Sequence, residues 1–388
     1  MFYELASPTF NSEEEAALNK VINSGYFTMG EYVKTFESQF AEYHNKKFAV
    51  MVNSGSSANL IATAAFFYKE NSPLKAGDEV IVPCVSWATT YHPLHQYGLK
   101  LKFVDVELDS LNIDISKLEA AITENTKMIV GVSILGNPAR LEELREFADK
   151  HNLYFLEDNC ESLDAEIDGV KAGTFGDIGT FSFFFSHHIS TMEGGMLITD
   201  DEELYQLSLS LRNHGWTRGQ PDDSKIYTKS ADDFSEAYRF ILPGYNVRPS
   251  ELNAVVGIEQ LKKLPEFTKQ RRRNLKQFEL IFKDDNRFIT QKEHGKSSSF
   301  CFPIIIKPES NIDRERIFKA LHEADIGFRM ITGGNMLRHD VLKYYDWSID
   351  GKAVNADIIH DNGFFIGNHP FDLSKQLEKL KEIIEGLN

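Results

Sequence analysis

Two adjacent histidines follow an apolar strand in the segment GTFSFFFSHHISTMEGGMLI, residues 179–198. His187 and His188 would point to opposite sides of an extended chain, so they make a poor chelating pair. This segment has no HxxxH or HExxH spacing, and we therefore predict no metal site in it. A histidine titrates near neutrality and can take up and return a proton, although a lone histidine is more often structural. The segment by itself leaves both interpretations open.

A candidate phosphate site lies in VMVNSGSSAN, residues 50–59, where a strand runs through Ser54-Gly55-Ser56-Ser57 into a helix. The free N–H groups and positive end of that helix suit a phosphate. Ser56 and Ser57 add hydroxyl donors, and small residues such as Gly55 allow close backbone approach. The segment is neither a Walker A motif nor a GxGxxG fingerprint. A simple serine N-cap explains it equally well.

Asp158 and Trp87 are two further candidates for ligand binding. Asp158 ends the apolar strand LYFLED (153–158), where α/β folds place ligand-contacting groups. A carboxylate there could pair with a protonated ring nitrogen, as pyridoxal phosphate enzymes require, or it could cap the following segment. Trp87 could stack on a flat ring, but taken by itself an aromatic residue of the core or of an interface is the favoured interpretation.

The composition excludes several classes of function. Lys and Arg total 42 against 58 Asp and Glu, a formal charge of −16, which disfavours nucleic acid and anionic membranes as partners. The three cysteines are odd in number and scattered, so we predict neither a disulfide scaffold nor a zinc or iron–sulfur site. The start of the chain does not resemble a signal peptide, and no apolar stretch is long enough to cross a bilayer. We therefore expect a cytoplasmic protein.

The elements that must position these residues alternate between apolar strands and helices, which predicts an α/β fold. Unbroken apolar runs such as MIVGVSI are typical of a parallel sheet covered on both faces. The predicted strands are residues 47–52, 78–83, 101–106, 127–135, 153–158, 179–185 and 195–200. The predicted helices include residues 139–152, 201–215, 313–324 and 373–386, with a long loop near 216–235 and a helix-rich stretch from about 245 to 283. We predict a large domain over 1–245 and a smaller one over 246–388, with the boundary between 245 and 285.

Six motifs in order resemble the DegT/DnrJ/EryC1/StrS family of nucleotide-sugar aminotransferases over nearly the whole chain: SGSSAN, VSWATT, LEDNCES, FSFFFSHHISTMEGG, RNHG and GYNVRPSELNA. The resemblance implies the aspartate aminotransferase fold, with a mixed, mostly parallel seven-stranded sheet flanked by helices and a smaller C-terminal α/β domain. The family stretch reads approximately SFxxxKN…GEGG, and its lysine binds pyridoxal 5'-phosphate (PLP) covalently. The same count of five from Ser182 reaches His187, and no lysine occurs between Lys171 and Lys225.

This departure implies the family's 3-dehydratase branch. Imidazole cannot hold the cofactor as lysine does, so the resemblance implies non-covalent pyridoxamine 5'-phosphate (PMP) with His187 as general acid and base. The expected reaction removes the C3 hydroxyl of a nucleotide-linked 4-keto-6-deoxy sugar, with a GDP-linked mannose derivative as substrate. L-Glutamate would regenerate PMP. The scattered cysteines favour the branch that works without an iron–sulfur reductase partner.

The resemblance also implies roles for nine other residues, all in or near the cofactor site. Asp158 would hold the ring nitrogen, Trp87 would stack on the ring, and Glu161 would lie near the ring hydroxyl. Gly55, Ser56, Ser57 and Ser182 would hold the phosphate. Asn246 would reach the phosphate of a second subunit, which implies a homodimer with shared active sites, and Arg248 would bind the glutamate carboxylate. For Arg248 a salt bridge at the domain junction is the alternative.

Two other functions remain open from the sequence. One is a nucleotide-sugar 4-aminotransferase in which another lysine binds the cofactor. The other is a catalytically idle binding protein that keeps the fold. The retained serines, Asp158 and Trp87 argue against the second.

Overall fold

The computed structural model describes residues 2–310 and 312–387. The strands in this part of the chain are β1 (Phe48–Val52), β2 (Glu79–Pro83), β3 (Lys100–Val104), β4 (Thr126–Val132), β5 (Tyr154–Asp158), β6 (Glu166–Ile167), β7 (Val170–Lys171), β8 (Ile178–Ser182), β9 (Gly195–Thr199), β10 (Phe288–Thr290), β11 (Cys301–Ile306), β12 (Phe328–Arg329), β13 (Trp347–Ile349) and β14 (Gly363–Gly367). The helices are α1 (Ser12–Ser24), α2 (Glu31–Tyr43), α3 (Gly55–Phe67), α4 (Ala88–Gln96), α5 (Leu118–Ala121), α6 (Leu141–His151), α7 (Glu202–Arg212), α8 (Asp233–Glu236), α9 (Glu251–Phe282), α10 (Arg314–Glu323), α11 (Val354–Asn362) and α12 (Ser374–Glu385).

The larger sheet has the strand order β1-β9-β8-β5-β4-β2-β3-β13 and is parallel from β8 to β13. Only β9 runs against its neighbours, β1 and β8. Met128 and Val130 of β4 pack into one apolar cluster while Ile129 between them packs into another, so both faces of the sheet are covered. This is the burial that an unbroken apolar strand requires, and it confirms the predicted mixed, mostly parallel sheet flanked by helices.

The smaller sheet has the order β10-β11-β14-β12 and is antiparallel throughout. Its core contains a stacked pair, Phe278 of α9 and Phe302 of β11, whose ring centroids lie 4.5 Å apart. Helix α9 runs from the larger sheet to this core. The division at residue 245 stays a prediction, since the later part of the chain also supplies β13 to the edge of the larger sheet.

All seven predicted strands of the larger sheet are present, and β13 is an eighth that sequence analysis missed. Its three residues are too short to show a periodic pattern. The predicted strand over 179–185 ends early, at Ser182. The chain turns there, because the N–H of His187 donates to the carbonyl of Phe184 at 2.9 Å. The expectation that His187 and His188 lie on extended chain is therefore wrong.

Helix ends follow the charge pattern of the sequence. The carboxylate of Asp201 accepts the N–H groups of Glu203 and Leu204 and so caps α7, as its acidic start predicted. Within the described ranges, no helix combines the length and apolar character that a membrane crossing needs. Residues 2–310 and 312–387 also contain no group of three or more His, Cys, Asp or Glu side chains suited to a metal ion.

Candidate active site

A cavity of about 430 Å³ opens where β2, β4, β5 and β8 end. The carboxyl ends of parallel strands meet at one edge of a sheet, and α/β folds place their ligands there. Seven of the ten predicted site residues line this cavity. The lining consists of Ser54, Gly55, Ser56, Asn59, Ser86, Trp87, Thr89, Thr90, Val132, Asp158, Cys160, Glu161, Ser182, Phe184, Ser186, His187, Glu193 and Phe300.

Asp158 presents a buried carboxylate whose position is fixed by three hydrogen bonds. Its Oδ2 accepts the amide of Asn59 at 2.9 Å and the hydroxyl of Thr90 at 2.8 Å. Its Oδ1 accepts the N–H of Cys160 at 3.2 Å. A carboxylate held in this way is oriented by its donors, which suits pairing with a cationic ring nitrogen.

The N-terminus of α3 faces the end of β8 across a narrow gap. A Cβ placed on Gly55 would lie 2.5 Å from the Cβ of Ser182 and 2.9 Å from the Sγ of Cys160. Only glycine therefore lets the first turn of α3 come this close to β8. The resulting corner brings free N–H groups together with the hydroxyls of Ser56 and Ser182, a set of donors suited to a phosphate.

We predict that Gly55→Ala weakens the binding of PLP and lowers the stability of the protein. The added methyl group overpacks the contact with Ser182, at a cost of about 1–3 kcal/mol in the free energy of unfolding. Cofactor titration followed by absorbance, together with urea unfolding, measures both effects. Gly386→Ala is the matched control, because its Cβ would meet no atom closer than 3.3 Å. Equal cofactor affinity in wild type and Gly55→Ala would contradict the prediction.

Trp87 lies at the mouth of the cavity, immediately before α4, and 60% of its surface is exposed. A large aromatic side chain left this open at a cavity wall suits stacking against a flat ring or a second chain. The hydroxyls of Ser86 and Thr90, which flank Trp87 in the sequence, are buried and lie 2.8 Å apart. Thr90 also binds Asp158, so this loop and the carboxylate are positioned together.

His187 is half-buried between two phenylalanines. Its ring centroid lies 6.1 Å from that of Phe184 and 5.2 Å from that of Phe300, both in edge-on geometry. Burial, with a smaller effect of the Arg271 guanidinium, lowers the pKa of His187 to about 4. The imidazole is therefore neutral at pH 7 and can accept a proton. By contrast His188 is fully buried, and its Nε2 lies 3.3 Å from the carbonyl oxygen of Ser298.

Glu161 is another group in the cavity whose pKa lies away from its ordinary value. Burial, with a smaller effect of the Asp158 carboxylate, raises the pKa of Glu161 to about 7. Its Oε2 accepts the N–H of Leu135 at 3.0 Å. At neutral pH this side chain is present in both its acid and its ionised form, so it can either donate or accept a hydrogen bond.

Three predicted site residues lie outside the cavity wall. The Ser57 hydroxyl donates to Asn53 at 2.6 Å. Asn246 is exposed, and its Oδ1 accepts the Nε–H of Arg248 at 3.0 Å. The segment that carries both lies beside the end of β1, because the N–H of Asn53 donates to the carbonyl of Val247 at 3.0 Å.

Sequence analysis missed several residues of the site, among them Asn59, Thr90 and Phe300. Asn59 is a buried polar residue within the otherwise apolar stretch of α3, and that was a readable sign of a polar partner. Thr90 lies one turn after Trp87 and resembles any other helical threonine. Phe300 precedes β11 of the smaller sheet, and nothing in its sequence surroundings indicates this cavity.

These residues fit PLP or PMP. The α3 corner offers N–H and hydroxyl donors to the phosphate, Asp158 offers a carboxylate to the ring nitrogen, and Trp87 offers an aromatic face to the ring. Among the described residues that line the cavity there is no lysine. The site thus has what is needed to hold the cofactor without a covalent bond to it.

The profile of the DegT/DnrJ/EryC1/StrS aminotransferase family matches residues 8–387. A GDP-4-keto-6-deoxy-D-mannose 3-dehydratase of Escherichia coli O55:H7 is 49% identical over 385 residues, which cover 99% of each chain.

Solved structures of such dehydratases are also similar to this chain. A structure of GDP-4-keto-6-deoxymannose 3-dehydratase with a trapped PLP–glutamate geminal diamine superposes with a TM-score of 0.97, at 48% identity and with all of both chains covered. A structure of a mutant of that enzyme with bound GDP-perosamine has a TM-score of 0.96 at 48% identity, covering 98% of this chain and all of the other. This chain is therefore similar to these dehydratases in both sequence and fold over nearly its whole length.

Proposed function

The chain belongs to the DegT/DnrJ/EryC1/StrS aminotransferase family, and on that premise we propose that it is a GDP-4-keto-6-deoxy-D-mannose 3-dehydratase. It uses PLP and PMP, and it removes the C3 hydroxyl of the sugar to give a GDP-linked 4-keto-3,6-dideoxy sugar. The observation that carries the proposal is the occupant of the lysine position: a neutral His187 faces the cofactor cavity.

Glutamate supplies the electrons for this reaction. Replacing the C3 hydroxyl by hydrogen is a two-electron reduction of the sugar, and converting glutamate to 2-oxoglutarate is a two-electron oxidation. The net reaction consumes one sugar and one glutamate and yields the deoxy sugar, 2-oxoglutarate and ammonia. The balance therefore closes without an iron–sulfur centre or a reductase.

The bound cofactor supplies an amine that condenses with the 4-keto group and a ring that takes up electrons. His187 is the group that moves the proton at the C4′ carbon of the cofactor, since it is neutral at pH 7 and lines the cavity. It can then return a proton to the departing C3 hydroxyl. Because no described lysine reaches the cavity, release of the product depends on water.

The remaining site residues bind and orient. Asp158 keeps the ring nitrogen protonated, while Ser56 and Ser182 bind the phosphate at the Gly55 corner, with Ser57 supporting that turn through Asn53. Trp87 stacks on the ring. Glu161, with its pKa near 7, shares a hydrogen bond with the ring hydroxyl.

The active form that we propose is a homodimer with shared active sites. Two aromatic side chains of the cavity lining are open in the single chain, with Trp87 60% and Phe184 46% exposed, and Phe185, next to Phe184 in the sequence, is 45% exposed. Asn246 is exposed nearby and would reach the phosphate of the second copy. Arg248, held against Asn246, would bind the carboxylate of glutamate. Three free cysteines suit a reducing compartment such as the cytoplasm.

Product analysis tests the function directly. The protein is mixed with PLP, glutamate and GDP-4-keto-6-deoxymannose, and the sugar product is identified by mass spectrometry. We expect a 3-deoxy ketone, with ammonia and 2-oxoglutarate formed in equal amounts. A 4-amino sugar would instead mean an aminotransferase, and retention of the C3 hydroxyl would exclude the proposal.

Borohydride reduction and the glutamate half-reaction together separate the two alternatives from the proposal. An aminotransferase with a lysine bound to PLP would be trapped as a covalent adduct, whereas this protein should give none. An idle binding protein would also give no adduct, but it would fail to convert glutamate to 2-oxoglutarate. The absorbance change of PLP on addition of glutamate reads that half-reaction.

A further inference from the structure

The imidazole of His187 is held mainly by aromatic contacts. Within the described residues, the one hydrogen bond at its ring is a long one, 3.5 Å between Nδ1 and the hydroxyl of Ser186. Of the two phenyl rings beside it, Phe184 is 46% exposed and follows the end of β8 on the same short segment. Phe300 comes from a distant part of the chain and lies closer, at 5.2 Å.

Phe300 is fixed in place at both of its backbone polar groups. Its N–H donates to the carbonyl of Leu135 at 3.0 Å, and its carbonyl accepts from Nη1 of the buried Arg271 at 3.0 Å. The ring is therefore anchored to the turn after β4 and to α9 at the same time. The backbone of Phe184, by contrast, is hydrogen-bonded among the described residues only to Ser182 and His187 on its own short segment.

The backbone around this anchor is strained. Leu135 and Ser299 both adopt left-handed conformations, at φ 55° and φ 44°. Between them, a Cβ on Gly136 would lie 2.5 Å from the backbone nitrogens of Ser299 and Phe300. Residues held in such conformations cluster at functional sites, where the surrounding structure maintains the strain. Here the strained contact is the one that brings Phe300 to His187.

The same turn also contacts Glu161, since Leu135 donates its N–H to the carboxyl group of that residue. The charged and titratable groups around His187 are Arg271 on α9, the adjacent His188, and the carboxyl groups of the cavity. Those carboxyl groups are Asp158, Glu161 and Glu193. Arg271 disfavours the protonated imidazole, and the apolar ring of Phe300 gives a protonated imidazole no hydrogen-bond partner.

We propose that Phe300 is a positioning residue, whose anchored ring keeps the imidazole of His187 shielded from water and oriented toward the cofactor. This inference rests on the proposed function. It concerns the geometry of the proton-transferring group rather than the binding of the sugar. Removing the ring of Phe300 should therefore change the pKa of His187 and the rate of turnover, but not the affinity for the sugar.

The test compares Phe300→Leu with wild type, with Phe302→Leu as the matched control. Phe302 lies two residues further along and packs against Phe278 in the core of the smaller sheet, so its loss should affect stability alone. The enzyme is labelled with ¹³C at the Cε1 of its 12 histidines, and each chemical shift is followed against pH. The resonance of His187 is identified by its absence from the His187→Asn spectrum.

We expect the pKa of His187 in Phe300→Leu to rise by about one unit or more toward its ordinary value. We also expect kcat to fall about tenfold while KM for the sugar changes by less than about twofold. Phe300→Tyr, which keeps the ring, should restore both values, and Phe302→Leu should match wild type in both.

Two results would overturn the proposal. One is an unchanged His187 titration in Phe300→Leu, and the other is an effect confined to KM, which would make Phe300 a wall of the sugar site. The titration needs no turnover, so it remains readable even if the proposed reaction fails. If instead the proposed function is wrong, the wild type will be inactive on the sugar, while the pKa of His187 still rises in Phe300→Leu.

Discussion

Replacing His187 by asparagine is expected to reduce both half-reactions by about 10²- to 10⁴-fold, the range that a positioned general acid or base contributes. Asparagine has nearly the same size and polarity, and it preserves the turn after β8. It has no group that can take up a proton near neutral pH. The transfer at C4′ would then depend on water.

The measurement is the rate of 3-deoxy sugar formation together with the rate at which glutamate converts PLP to PMP, read from absorbance. The affinity for PLP should stay within about threefold of wild type, because the phosphate corner and Asp158 are untouched. His322→Asn, on the exposed face of α10, is the matched control and should be fully active. A His187→Asn enzyme with normal turnover would show that another group moves the proton.

The pKa of His187 also predicts how activity depends on pH. A base must be deprotonated, and His187 is deprotonated above about 4. Its share of the rate is therefore fully present at pH 6 to 8 and is lost only as the pH falls through 4. A pH–rate profile whose acidic limb lies near 6.5 would mean that the imidazole is hydrated rather than shielded.

Much of the fold was readable from the sequence because its strands are buried on both faces. The segments MIVGV of β4 and YFL of β5 are unbroken apolar runs, and no helical or loop pattern competes with them. In contrast, β13 has only three residues, and it forms by pairing with the edge strand β3. Its own sequence is too short to predict a strand. The end of β8 was misplaced since three phenylalanines continue the apolar pattern past the turn.

Site residues could be predicted from the sequence where a residue type suited to ligand binding stands at the end of a strand or the start of a helix. Asp158 stands at the end of its strand, and Gly55 and Ser56 stand at the start of a helix, so general rules reach them. His187 was different. The residues around it left a structural and a catalytic interpretation open, and only the resemblance to a family with lysine at that position favoured the catalytic one. The structure adds its neutrality, which depends on burial that no local pattern encodes.

For residues that act through other residues, the sequence could not predict which partner each one contacts. Asn59 and Thr90 hold Asp158 from two different helices, and Phe300 comes to His187 from the far end of the chain. Each is set by packing between elements distant in sequence, which a single sequence does not show. Asn59 and Thr90 both act through the carboxylate of Asp158. After the replacement of His187, a change of this carboxylate is the most severe test of the site.

Asp158→Asn is expected to lower the rates of both half-reactions by about 10²- to 10³-fold, the usual cost of losing one preorganised electrostatic partner. The substitution keeps the shape of the side chain but removes its charge, so it can no longer hold a proton on the ring nitrogen. Asn59 and Thr90 both donate to Oδ2, and the N–H of Cys160 donates to Oδ1, so the amide of asparagine would turn a donor either toward the first pair or toward Cys160. The cavity would lose both the charge and the orientation of this group.

Single-turnover rates with the sugar and with glutamate measure the effect, and Asp223→Asn in an exposed loop is the matched control. Both rates should fall together, because the electron withdrawal by a protonated ring serves proton removal at C4′ in either direction. A loss confined to the sugar half-reaction would place Asp158 at the substrate rather than at the ring. A parallel loss in both, with PLP still bound, would leave His187 without the electron sink that makes its proton transfer possible. The pH profile then distinguishes the two residues by role, since only His187→Asn should alter its acidic limb.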